Sequence, residues 1–241
     1  MAVSIDTVYQ RVLAFANKEQ RGYITPQEFN LFANQAQQEI FEQYFYDINQ
    51  FARIPGNDTV YADVDDMLEE KLTMFEDVDG AAVIDNYVGS GGGGVNKRLP
   101  DYIYRVNRIE FNDINCEILS TKDFNESRPG TPLIAPSNQR PIVNIRRNIM
   151  RCVGDNNSFI TPTGLFYFRI PTPVRWGYVV VNEKALYDPT VGRTIHFELH
   201  RSEESELVYK ILKFAGVAMQ RIDIMRAGQI QEQSQVQQEK S

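Results

Sequence analysis

The sequence predicts an α+β protein in which N- and C-terminal helices form a bundle around an inserted β-rich domain. Two observations carry this. Apolar residues recur at helical spacing near both ends of the chain, and between them the pattern turns to short β-rich runs divided by Pro, Gly and Asn-Asp turns. The expected segments are residues 1–85 as the N-terminal part of the bundle, 86–200 as the β-rich insertion, and 201–241 as the returning helix with a Gln-rich tail.

Ser4 reads as an N-cap, followed by Ile5, Val8, Val12, Phe15 and Ala16 on one helix face. The clearest helix start is Thr25-Pro26-Gln27-Glu28: Thr25 caps, Pro26 takes the first helical position, and Glu28 reaches back as the capping-box partner. Phe29, Phe32, Ala33, Ala36, Ile40, Tyr44 and Ile48 then mark one face. Phe41, Phe45 and Phe51 lie largely off it, so a second covering is expected, from this chain or from another subunit, and the three are candidate interface residues. A weaker helix is expected over Ala62–Phe75, with Leu68 and Leu72 in its stripe.

Gly89–Gly94 reads as a mobile loop tip, or as a loop that a neighbouring subunit grips through Gly91, Gly92 and Gly93. Tyr102–Phe111 is β-rich with a slip between Val106 and Ile109 that predicts a bulge. Asn112-Asp113 is a turn, and Ser120 caps a short helix ending near Ser127. Further strands are expected at Ile142–Ile145, Ile149–Val153, Leu165–Ile170, Tyr178–Val181 and Ile195–Leu199. Ser202 is the expected N-cap of the last helix, striped by Leu207, Val208, Ile211, Leu212 and Ala215. From Gln229 the chain is polar. Gln229, Gln233 and Gln237 belong to a tail whose composition requires either a partner or continued helix packing to order it.

Composition narrows the function. Apolar residues make up 42% and charged residues 24%, with 14 Phe and 12 Tyr, enough for a sizeable core. A net charge of −7 without a long basic tract argues against a duplex-DNA reader. It is compatible with a channel wall that DNA does not stick to. No apolar run approaches the roughly 20 residues of a membrane span, and the first six residues lack a leader pattern, so no membrane partner is expected. Cys116 and Cys152 are too few for a disulfide framework or a zinc site and read as small core residues.

Four chemistry-bearing patterns dissolve on inspection. Asn17–Glu28 has the Gly, Ile and Glu of a calcium loop, but Arg21 stands where an oxygen ligand is required. The glycine run matches G-x-G-x-x-G, yet Pro100 follows where a helix should begin. His196 and His200 lie on an expected strand, about 13 Å apart. Asp77-Val78-Asp79-Gly80 reads as a turn rather than a metal loop. No nucleophile elbow or paired-carboxylate arrangement is legible, so neither an enzyme nor a cofactor is expected.

Several segments in order along the chain resemble virion structural proteins of crAss-like and related tailed bacteriophages. They are Asn17–Asn30 continuing to Gln37, Thr161-Pro162-Thr163-Gly164-Leu165-Phe166-Tyr167-Phe168-Arg169, Arg175-Trp176-Gly177-Tyr178, Phe197–Glu204 and Ile211–Val217. The order helices, β insertion, helix is similar to head–tail adaptors in general. The resemblance implies a ring at the portal vertex, assembled in the host cytoplasm and carried in the virion. Twelve copies would stack under the portal protein and beside neighbouring tail or ring proteins, and DNA would pass non-specifically through the lumen. Twelve copies would carry about −84 in all. The alternatives are a tail-tube or capsid-decorating subunit and, further off, a virion-associated enzyme.

Overall fold

The computed structural model describes residues 3–17, 24–51, 67–80, 97–128, 135–190 and 192–218, together with 230, 231, 233 and 234. Mixed α+β architecture is observed. The chain divides into two compact units, Met1–Met74 with Pro171–Ser241, and Phe75–Ile170. The β-rich unit therefore starts and ends earlier than the 86–200 stretch expected from sequence.

The first unit holds helices α1 (Ile5–Asn17), α2 (Pro26–Phe51), α3 (67–73) and α5 (Glu204–Ala218). The Thr25 capping box forms as expected. Glu28 Oε2 accepts from the Thr25 amide at 3.0 Å, and Thr25 Oγ1 accepts from the Glu28 amide at 3.3 Å. These contacts hold the Glu28 carboxyl below its usual range. Helix α5 packs against α1 and α2. Ile5, Val8 and Val12 of α1, Phe29, Ala33, Ala36 and Ile40 of α2, and Leu207, Val208, Ile211 and Ala215 of α5 are all buried. Alanines at three of these positions shorten the side-chain layer and let helices approach.

Residues 171–200 belong to this unit because α2 holds them. Asn30, Asn34 and Gln37 fall on one helix face and meet Trp176, Val174 and Thr172, alternate residues of an extended segment running antiparallel to the helix. Asn34 Nδ2 donates to Val174 O at 2.9 Å, and its Oδ1 accepts from Val174 N at 2.8 Å. Asn30 Oδ1 accepts from Trp176 N at 2.7 Å, and Gln37 Nε2 donates to Thr172 O at 2.9 Å. Four helical residues rise about 6 Å and two extended residues about 6.6 Å, so the two spacings nearly match.

The expected strand Ile195–Leu199 is reduced to single bridges, Ile195 with Arg175 and Phe197 with Val3. Tertiary contacts, not a sheet, satisfy its backbone. The last helix is preceded by a turn at Arg201–Glu203. His200 caps this turn, its Nδ1 accepting from the Ser202 amide, so Ser202, the expected helix cap, lies within the turn.

In the second unit, one sheet runs β1-β8-β3-β4 and the other β2-β7-β6-β5. The first comprises β1 (Glu76–Gly80), β3 (Ile103–Phe111), β4 (Ile114–Asn115) and β8 (Gly164–Arg169). The second comprises β2 (Lys97–Arg98), β5 (Glu117–Ile118), β6 (Ile142–Arg146) and β7 (Ile149–Val153). Both sheets contribute to one core of Leu99, Ile109, Cys116, Val143, Met150, Cys152, Leu165 and Tyr167. The register of β3 shifts between Val106 and Arg108, at the expected bulge. The expected turn at Asp77–Gly80 is instead strand β1, with Val78 opposite Phe166 and Asp79 opposite Leu165. Pairing with the aromatic strand β8 overrides the local turn preference. Helix α4 (Thr121–Ser127), capped by Ser120, lies against β6 on the face away from this core.

Candidate assembly interface

Strands β9 (Tyr178–Val181) and β10 (Lys184–Tyr187) form a separate antiparallel ribbon in the first unit. Its two-residue turn, Asn182-Glu183, has φ of 50° and 63°, the left-handed pair whose twist matches a tight hairpin. Sequence reading found β9 but not β10. The signal was present in Asn182 between two β-prone runs.

The base of the ribbon is locked. Tyr178 and Tyr187 face each other across the strands, and Trp176 stacks on both at 5.8 and 5.9 Å. Trp176 also meets Tyr9 of α1 at 4.2 Å, and its indole N–H donates to Asp6 Oδ1 at 3.0 Å. The Asp188 amide donates to Gly177 O, and Thr194 Oγ1 donates to Asp188 O while accepting from Gly177 N. A Cβ on Gly177 would sit 2.7 Å from Arg193 O, so only glycine admits this close approach. Hydrogen bonds from Thr190, with Arg193 adding its charge, hold the Asp188 carboxyl below its usual range.

Beyond this base the ribbon is bare. Val179, Val181 and Leu186 share one face with the exposed Lys184 and are 41%, 46% and 52% exposed; Val180 on the other face is 63% exposed. A solvated ribbon face usually carries polar residues.

The expected interface residues fare differently. Phe41 and Phe45 are 0% and 8% exposed and meet edge to face at 5.2 Å, so their off-face positions are covered by this chain, and they offer no surface to a partner. Phe51 ends α2, but its side chain lies outside the described residues, as do Gly91, Gly92, Gly93, Gln229 and Gln237. Gln233 is exposed in a helical stretch.

Several other polar groups have structural partners. His196 Nδ1 accepts from the Ile5 amide at 3.3 Å. Lys71 Nζ lies 2.6 Å from Glu203 Oε1, and Lys210 Nζ lies 3.3 Å from Glu206 Oε1, an ion-pair group buried beside α5. Burial pushes the Glu206 carboxyl up to about 7 despite Lys210. Among the described residues no three His, Cys, Asp or Glu side chains gather into a metal site, and no helix is long and apolar enough to cross a membrane. No family model and no curated protein matches the chain.

Proposed function

We propose that the chain is a non-enzymatic structural subunit of a phage portal-vertex ring, a head–tail connector forming part of the DNA channel between capsid and tail. The observation that carries the assembly reading is the β9–β10 ribbon, anchored by aromatic stacking at its base and exposing Val179, Val181 and Leu186 beside Lys184 on its uncovered face. A surface of this kind is stabilised by burial against another subunit, here a second copy around a ring. Packing of α5 on α1 and α2 supports the reading of these helices as the adaptor-like bundle. The virion placement and the portal and tail partners rest on the sequence resemblance. The test is the solution mass by light scattering, with and without the portal protein. A closed multimer of about twelve, alone or on the portal, is expected. A monomer that ignores the portal at high concentration overturns the proposal and favours a decorating or tail-tube role.

A further inference from the structure

Strands β6 and β7 alternate sharply. Val143, Ile145, Met150 and Cys152 face the shared core. On the other face the cross-strand pairs are Ile142 with Val153, Asn144 with Arg151, and Ile149 with Arg146. Helix α4 covers the first pair through Phe124 and reaches Asn144 of the second through Thr121. Where that cover ends, a cavity of about 230 Å³ opens, lined by Arg146, Arg147, Arg151, Asn144, Phe124 and Ile149 among others.

No carboxylate lines this cavity, although the chain as a whole carries −7. Among the described residues Arg146 and Arg147 form no ion pair, while Arg98, Arg108 and Arg140 each do. Asp101, the acid tied to the turn, engages Asn148 and Arg98 instead. Arg147 is held at the turn with φ of 52°, followed by Asn148 at 59°. Asn144 is only 6% exposed and is fixed by donating to Leu119 O at 3.1 Å, so the cavity wall is rigid at its centre.

We propose that this cavity binds the phosphate group of a nucleotide or of a nucleic-acid strand. The guanidiniums of Arg146, Arg147 and Arg151 can share the non-bridging oxygens of one phosphate, three on a terminal group and two on a backbone diester. Ile149 and the edge of Phe124 supply an apolar wall for the sugar or base that the phosphate carries. The volume lies below the 300–1,000 Å³ usual for a complete small-molecule site, which suits one phosphate of a larger molecule projecting past the exposed arginines. This site is independent of the β9–β10 ribbon and of the ring reading.

The test titrates the full chain with a labelled 12-nucleotide oligothymidylate, with adenosine monophosphate, with inorganic phosphate and with a hexaglutamate peptide. At least one phosphate compound is expected to bind, tenfold or more weaker to R146Q/R151Q, with R147Q as a second variant. Melting curves should stay unchanged, since these side chains are exposed. With one phosphate held by the three arginines, the oligonucleotide affinity should fall with salt at a log–log slope of about −0.7, shrinking towards zero in the double variant. Binding of the monophosphate as tight as that of the strand identifies a free nucleotide as the source; binding of the strand alone identifies its backbone. The proposal is overturned if no phosphate compound binds, if both variants bind like the wild type, or if hexaglutamate binds as tightly as the phosphates.

Discussion

Replacing Leu186 and Val181 by aspartate, L186D/V181D, tests the ribbon as an assembly contact. The three apolar side chains of the bare face expose about 1.4 complete side chains between them. Burying a full Val or Leu is worth about 1.5–3 kcal/mol, so covering this face would contribute roughly 2–4 kcal/mol per contact. The double substitution removes about one side chain's worth, about 1.5–3 kcal/mol, and adds two carboxylates that resist desolvation. At 1.4 kcal/mol per decade, each contact weakens by at least 10- to 100-fold. In a closed ring every subunit carries the same defect, so assembly should collapse over a narrow concentration range. Sedimentation velocity across a concentration series reads this directly. Both side chains are about half exposed, so the protomer's own stability should change by less than about 1 kcal/mol in urea unfolding. Equal assembly of variant and wild type would refute the ribbon's role, whatever the fold does.

Other consequences follow from single groups. The folded Glu206 carboxyl titrates near 7 against 4.5 for the ordinary group, raised first by burial and then by Glu203, with Lys210 opposing. Its contribution to stability is therefore full below about pH 4.5 and is lost as pH rises through 7, a change on the order of 3 kcal/mol. Glu206→Gln should flatten this part of the pH profile in urea unfolding between pH 5 and 8, and an unchanged slope would contradict it. Asn34→Ala strips both backbone hydrogen bonds from Val174 and should cost about 1–3 kcal/mol, read as a lower unfolding midpoint and faster amide exchange over 172–176. Glu183→Gly relieves a non-glycine residue at φ 63° and should stabilise the ribbon by about 1 kcal/mol, seen as slower amide exchange across β9 and β10.

The local grammar of the chain was legible from sequence wherever a few neighbouring residues decide the outcome. Thr25-Pro26 and Glu28 specify a helix start through bonds within four residues, and Ser120 does the same for α4. Asn112-Asp113 sets its turn because short polar side chains tolerate the left-handed region. The alternation at Ile149–Val153 gives a strand because one face must be buried. The mixed α+β class is the sum of such local decisions.

What only tertiary structure decided are the partners of each surface. The off-face rings Phe41 and Phe45 looked available because periodicity describes a helix alone; other parts of the chain bury them. Asp77–Gly80 has turn residues, and only its pairing with β8 makes it a strand. Asn30, Asn34 and Gln37 gain their role only from an extended segment some 140 residues later, which places alternate peptide groups against them. The ribbon and the arginine-lined cavity were hidden for the same reason. Sequence fixes which residues are apolar or charged, but exposure and free charge are properties of what the rest of the chain covers, and that is settled only when distant segments compete for the same surface.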